Sequence, residues 1–329
     1  MSPGTGAATA EAYEQLRPLM FAIAYRMVGA VSEAEDIVQE AFLRYHQATS
    51  DGNLPDSPKA YLSAVTTRLC IDHLRSARVR RESYVGEWLP EPLVTSPPVL
   101  GRQALDPADL AEQSDSLSMA FLLLLERLTP VERAVFLLHD VFSYGYDETS
   151  RIVGRSEATC RQLAHRARQH VEEYRPRFEA SRQKRDELAA RFFDAVSKGD
   201  MDGLLSMLGD DVTVHGDSGG VPPAWLRPIF GRDRVSRLLA GVAAQLREVG
   251  GALQFAEVNG QPGALVLAPD GDLISVFQVD VADDQIQTVR SVISRDKLRH
   301  LMPLADISGL RDQLHESRPD GASDQQPDG

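Results

Sequence analysis

Residues 154–168 read Gly154-Arg155-Ser156-Glu157-Ala158-Thr159-Cys160-Arg161-Gln162-Leu163-Ala164-His165-Arg166-Ala167-Arg168, and their spacing decides the architecture. In a helix starting at Glu157, Cys160, Leu163, Ala164, Ala167 and Val171 fall on one face, the recurrence of an amphipathic helix. Gln162, His165, Arg166 and Gln169 point the other way, with Arg161 and Arg168 on the flanks. Asp147–Val153 predicts a short helix before the turn Gly154-Arg155-Ser156. Two helices joined by a three-residue turn containing glycine form a helix-turn-helix. Further upstream, Thr129-Pro130-Val131-Glu132 is a capping box with proline at the first helical position. Leu117, Phe121, Leu124, Leu125 and Leu128 form an earlier apolar stripe, so residues 116–178 read as one helical module.

The N-terminal part, residues 10–81, reads as a second all-helical module. Leu16, Leu19, Met20, Ile23, Ala24, Met27 and Val28 keep a helical period. After Gly29, Ser32 and Glu35 have capping-box spacing and Ile37, Val38, Ala41 and Phe42 continue the pattern. A polar loop, Thr49–Asp56, leads to Ser57-Pro58 and a third helix with Tyr61, Leu62, Val65 and Leu69 on its buried face. Residues 82–115 contain Trp88-Leu89-Pro90-Glu91-Pro92 and Pro97-Pro98. Proline at that density excludes a long helix, and Trp88 and Leu89 imply a linker docked on something. Residues 186–303 change character: helix, the alternating strand Val212–His215, helix, then strands punctuated by Asn259-Gly260 and Asp270-Gly271. These are hairpin signals, and the expected fold is α+β, an antiparallel meander wrapping a helix. Residues 304–329 are expected to be a disordered tail.

Composition narrows the function classes. With 329 residues and two cysteines, the chain lacks a disulfide framework, which points to a reducing compartment. No apolar run approaches a membrane span and no signal peptide is visible, so a cytoplasmic location is expected. The eight histidines are scattered and no Cys/His cluster has metal-ligand spacing; no metal or cofactor is expected. The net charge of −13 argues against nucleic-acid binding until its distribution is considered. Residues 186–329 hold 23 acidic and 13 basic residues, whereas residues 151–185 hold ten basic and four acidic ones. A second basic string is Arg68, Arg75, Arg78, Arg80 and Arg81. Local patches, not the sum, release counterions from phosphates. On the helix after the turn, arginine can pair bidentately with guanine and glutamine with adenine.

Several motifs together resemble one family. Glu35-Asp36-Ile37-Val38-Gln39-Glu40-Ala41-Phe42-Leu43-Arg44 resembles the polymerase-binding helix of extracytoplasmic-function sigma factors. Arg68-Leu69-Cys70-Ile71-Asp72-His73-Leu74-Arg75 resembles their −10 promoter segment, and Leu128–Arg133 with Gly154–Arg168 their −35 module. The resemblance implies core RNA polymerase and promoter DNA as partners. It assigns Asp36, Gln39, Glu40 and Arg44 to polymerase. Arg68, Asp72, His73, Arg75 and Arg78 go to the −10 element, and Arg155, Arg161, Gln162, His165, Arg166 and Arg168 to the −35 element. It also implies that Thr49–Asp56 accepts a flipped base.

The linker motif, the α+β domain and Asp296-Lys297-Leu298 resemble the subgroup with a fused, cone-shaped SnoaL-like (NTF2-like) extension, which is expected to modulate activity in cis. Trp88, Leu89, Pro90, Glu91, Pro92, Asp217, Gly219, Gly220, Asp296, Lys297 and Leu298 are the expected regulatory contacts. The subgroup's Asp-Gly-Gly-Gly-Lys loop stands here as Asp217-Ser218-Gly219-Gly220-Val221, losing a glycine and the lysine; if that lysine is what holds the extension against the sigma modules, this chain must hold it otherwise. The extension would keep the two modules at a set separation. Three alternatives stay open: a small-molecule sensor in the cone, an enzyme using His215 and the exposed-looking Asp217, and a repressor that never meets polymerase.

Overall fold

Helix α1 (Pro3–Val28) ends at Gly29, which takes the left-handed conformation, φ 73°, and turns the chain directly into α2 (Val31–Ser50). The computed structural model describes residues 3–53, 55–82, 84–96, 114–174, 181–220 and 227–310. Helix α3 (Pro58–Glu82) starts at the proline, as its sequence predicts. Met20, Ile23 and Met27 of α1, Ile37 and Phe42 of α2, and Leu62 and Ile71 of α3 are buried together. The capping box expected at Ser32 and Glu35 does not form. The N-cap is Ala30, which has no side-chain acceptor, and a carboxylate from elsewhere takes the role, as described below.

The second module comprises α4 (Met119–Leu125), α5 (Pro130–Phe136), α6 (Tyr146–Val153) and α7 (Glu157–Tyr174). The Thr129–Glu132 capping box is present in both directions. Gly154, φ 67°, ends α6 and makes the turn of the helix-turn-helix. Cys160, Ala164, Ala167 and Val171 are buried, as their spacing predicts. The two modules are not held apart: Leu122, Leu125, Leu137 and Leu138 join the same core as Met20 and Leu62.

The α+β domain opens with α8 (Arg182–Lys198) and α9 (Met201–Met207), and α10 (Arg232–Glu248) lies further on. Its strands are β2 (Leu208–Asp217), β3 (Ile229–Phe230), β4 (Ala252–Val258), β5 (Gln261–Leu267), β6 (Leu273–Ala282) and β7 (Gln285–Val292). The short β1 (Val94–Ser96) comes from the linker and pairs with β4. The sheet order is β1-β4-β5-β6-β7-β2-β3. It departs from a pure antiparallel meander, because β2 runs parallel to β7. Phe192, Val235, Leu239, Phe277 and Val289 fill the space between helices and sheet. On the opposite face Val276, Leu265 and Val292 pack with Leu89 of the linker and Met119 of α4. The sheet thus has two apolar faces, one for its own helices and one for the rest of the chain.

Two boundaries move. Arg182 pairs with Glu257, and Arg185 donates to Gln261 Oε1 at 3.1 Å. These two members of the basic run therefore belong to the α+β domain. At the other end, Ala305 N–H donates to Leu273 O at 3.0 Å and Leu304 bridges Leu273, so the expected tail does not begin at 304; residues 311–329 lie outside the described residues.

Candidate regulatory and nucleic-acid interface

The linker from Tyr84 to Ser96 crosses between the helical modules and the sheet as a strap. Its central anchor is Asp217 at the end of β2, which is fully buried and not in an exposed loop. One carboxylate oxygen accepts from Tyr84 hydroxyl at 2.5 Å and Gly219 N–H at 3.0 Å. The other accepts from Leu89 N–H at 2.8 Å and Lys297 Nζ at 2.6 Å. Four donors match the acceptor capacity of a carboxylate. Lys297 also donates to Leu89 O at 2.6 Å and lies 4.4 Å from the Trp88 ring centroid and 4.9 Å from that of Tyr84, cation–π distances. Lys297 is thus the cation that meets this carboxylate. Burial, and then the bond to Asp217, push the Tyr84 hydroxyl up.

Most of the predicted regulatory set converges here. A Cβ at Gly219 would lie 2.9 Å from Ser294 Oγ, and one at Gly220 would lie 3.1 Å from Val85. Leu298 is buried beside Leu89. Asp296 is the exception: it faces solvent and pairs with Arg299 at 2.5 Å, because α11 (Arg295–Leu298) turns only Lys297 and Leu298 inward. Trp88 packs its ring against Gly29, where a Cβ would sit 2.9 Å away.

The other end of the strap grips the helical modules. Glu91 N–H donates to Gly29 O at 2.9 Å and Tyr25 hydroxyl donates to Glu91 O at 2.6 Å, while on the α+β side His300 Nε2 lies 2.9 Å from Pro92 O. The Asn259 side chain donates to Tyr25 Oη at 2.7 Å and to Leu117 O at 3.1 Å, and accepts from Leu93 N–H at 3.0 Å. Tyr25 and Asn259 escape sequence reasoning: one reads as a core aromatic, the other as a hairpin residue.

The expected polymerase face is solvent-facing. Asp36, Gln39 and Arg44 are exposed on α2, with Glu40 paired to Arg44 at 2.7 Å. Leu43, 56% exposed, sits among them, an apolar residue that the charge pattern hides.

The expected −10 residues are divided. Asp72 and Arg75 are exposed and pair at 3.3 Å, and His73 lies 2.9 Å from Glu33 of α2; the Arg78 side chain lies outside the described residues. Arg68 donates to Ile152 O and Arg151 O, each at 3.1 Å. It caps the C-terminus of α6 in the other module, where a cation meets the negative end of the helix dipole. The exchange is mutual: Arg133, buried in the second module, donates to Met27 O at the end of α1 at 2.5 Å. Arg26 adds a bond to Ser116 O at 3.2 Å, and burial lowers its guanidinium to a pKa of about 10.

On α7, Gln162, His165, Arg166 and Gln169 are exposed, with Arg155 beside them in the turn. Arg161 pairs with Glu157 at 2.8 Å. Arg168 is held by Asp140 at 2.6 Å and by Tyr146 hydroxyl at 3.2 Å. It therefore braces the module in this structure and does not join the outward row.

His215 and Asp217 do not form an acid–base pair, since His215 Nδ1 meets Glu87 at 2.6 Å while Asp217 is taken by the strap. The cavity between α8, α10 and the sheet is lined by apolar side chains, among them Phe192, Leu239, Leu246 and Phe277, and encloses about 20 Å³, room for about one water-sized group. Among the described residues no His/Cys/Asp/Glu group could hold a metal, and no helix is long and apolar enough to cross a membrane.

Comparison with known proteins follows this geometry. Residues 12–80 match Sigma-70 region 2 and residues 118–171 match Sigma-70, region 4. The ECF RNA polymerase sigma factor SigJ of Mycobacterium tuberculosis is 40% identical over 254 residues, 77% of this chain and 79% of SigJ. The probable ECF RNA polymerase sigma factor SigI of the same species is 37% identical over 209 residues, 63% of this chain and 69% of SigI. The crystal structure of M. tuberculosis SigJ superposes with a TM-score of 0.70 at 34% identity, covering 90% of this chain and all of that one. Two helical sigma regions in order, joined by a strap to an α+β domain, and this extent of identity place the chain in the family of extracytoplasmic-function RNA polymerase sigma factors.

Proposed function

We propose that this sigma factor is held in a closed state by its own strap and α+β domain, and that opening makes it competent for promoters. As a family member it binds core RNA polymerase and directs promoter-specific initiation. The finer assignment is ours: α2 meets polymerase through Asp36, Gln39, Glu40 and Arg44. The α3 residues Arg68, Asp72, His73, Arg75 and Arg78 address the −10 element. On the second module Arg155, Arg161, Gln162, His165 and Arg166 address the −35 element, with Arg168 joining them once it leaves Asp140.

The observation that carries cis control is the Asp217 anchor, four donors on one buried carboxylate, two of them from the strap. In the same structure Arg68 is engaged with the C-terminus of α6, and we read that engagement as competing with DNA. Moving such an equilibrium from mostly closed to mostly open takes roughly 5 kcal/mol of differential binding, which a large polymerase interface can supply. We read the α+β domain as regulatory and not catalytic, because the buried carboxylate of Asp217 is committed to the strap.

In vitro transcription with purified core polymerase and a promoter library, comparing wild type with Asp217→Asn, tests this. Altered promoter-dependent output supports cis control, and identical output removes it. Absence of any association with core polymerase removes the functional reading.

A further inference from the structure

The first turn of α2 needs a cap that its own sequence does not provide. The first four N–H groups of a helix have no internal partner, and Ala30 at the N-cap offers no acceptor. The acceptor is Glu91, from the strap. Its Oε2 accepts from Val31 N–H at 2.7 Å and Ser32 N–H at 3.2 Å, and its Oε1 accepts from Ser32 Oγ at 3.2 Å. A carboxylate at this end also meets the positive pole of the helix dipole.

Every polar group of Glu91 is engaged: its N–H by Gly29 O, its carbonyl by Tyr25, its carboxylate by α2. It stands between Pro90 and Pro92, whose rings fix their own φ, and as a residue preceding proline it is held to the extended region, so the segment is stiff. Two residues earlier, Leu89 is clamped through both its N–H and its carbonyl by Asp217 and Lys297. A short stiff lever therefore joins the α+β domain to the start of α2.

We propose that Glu91 is a positioning residue that caps the polymerase-facing helix α2 only while the strap is clamped, so that release at Asp217 and Lys297 is transmitted to that helix. The inference rests on the reading of α2 as the helix that meets core polymerase. The residues assigned to that contact begin at Asp36, little more than one turn beyond the capped amides. Fraying of the first turn thus changes the base on which they stand.

Hydrogen exchange of the Val31 and Ser32 amides in the full chain tests the coupling. Loss of a cap is expected to speed them by about tenfold in Glu91→Gln, with the amide of Ala41 unaffected. Lys297→Met, which reaches α2 only through the strap, is expected to speed the same two amides equally, and adding Glu91→Gln to it gives no further rise. Tyr84→Phe, which deletes one hydroxyl from the anchor, is expected to give a smaller rise at the same amides and serves if Lys297→Met fails to fold. Affinity for core polymerase is measured on the same set. Glu91→Gln is expected to change it about fivefold in the wild-type chain and not in the Lys297→Met or Asp217→Asn background. Unmoved Val31 and Ser32 amides in the strap variants, or additive effects in the doubles, overturn the proposal. Failure of the wild-type chain to bind polymerase strikes the functional reading instead, and the exchange arm still decides the coupling.

Discussion

The side-chain amide of Asn259 donates to the Tyr25 hydroxyl at 2.7 Å across 234 residues of sequence. The same amide reaches Leu117 O, and its carbonyl oxygen accepts from Leu93 N–H, so one hairpin residue touches both sigma modules and the strap. Asn259 is fully buried and sits at φ 54°, a conformation that asparagine tolerates better than most residues. Turn chemistry and interdomain recognition are thus met by one residue type, and the junction of the modules, the strap and the α+β domain has a specific polar contact at its centre.

Asn259→Gly keeps the backbone unstrained but leaves Leu93 N–H and Leu117 O without this partner. Stranded buried groups cost about 1–3 kcal/mol each, so with two of them a loss of about 2–6 kcal/mol is expected in urea unfolding. Asn259→Ala is expected to be worse by about 1 kcal/mol, because alanine resists positive φ. Equal stability of the two variants would show that the side-chain bonds, and not the turn, carry the whole effect.

The Asp217–Lys297 pair is buried on both sides, with exposures of 0% and 9%. Removing one member of such a pair strands the other charge and costs about 3–5 kcal/mol. Lys297→Met should therefore destabilise the chain strongly and open the strap between Tyr84 and Ser96 to limited proteolysis. The double variant Asp217→Asn with Lys297→Met should recover part of that loss, since no bare carboxylate remains. A double variant as unstable as the sum of the singles would argue against a direct pair.

The two helical modules were legible because short-range signals specify them: the Thr129–Glu132 box, the Gly154 turn and the Cys160–Val171 face stand as read. The strap residues also converge as expected, apart from Asp296. What the sequence hides is the use of one module's side chains on another's helix ends. Ser32 and Glu35 have capping-box spacing, yet Glu91 takes the amides from 60 residues away, and no local rule reports a partner at that separation. Arg68 reads as a phosphate contact for the same reason. Its chemistry suits phosphate and helix carbonyls equally, and only the fold selects between them. The parallel pairing of β2 with β7 was equally invisible, since periodicity does not encode strand direction.

Arg68 and Arg133 cap each other's modules but differ in burial. The Arg133 side chain is only 4% exposed and also meets Glu126 at 2.9 Å, whereas Arg68 stays exposed. Arg68 holds its two carbonyls through Nε and Nη2, a two-pronged geometry that lysine cannot reproduce. Arg133→Lys is expected to cost about 2 kcal/mol in thermal unfolding, as a buried charge-assisted contact is lost. Arg68→Lys should cost under about 1 kcal/mol, the scale of an exposed helix-terminus charge. In holoenzyme binding to promoter DNA the order should reverse, with Arg68→Lys the more damaging. The same order in both assays would remove Arg68 from the −10 set.

Cys70 and Cys160 report the two modules separately. Both are fully buried, and burial pushes both thiols up, so neither presents the reactive thiolate. Alkylation then requires opening. Cys70 lies within the large core shared by both modules, and exposing it means breaking that core. Cys160 belongs to a small cluster with Val135 and Ala164, on the inner face of α7, where local opening disrupts few contacts. Iodoacetamide should therefore modify Cys160 well before Cys70 in the wild-type chain. In Lys297→Met the Cys70 rate should rise toward that of Cys160, because releasing the strap removes the Tyr25–Glu91 contact that helps hold α1 in the shared core. Mass spectrometry of the two cysteine peptides over time measures both rates in one experiment. Equal rates in the wild-type chain would mean that the two modules open only as a single unit, and that promoter competence cannot come from loosening the strap alone.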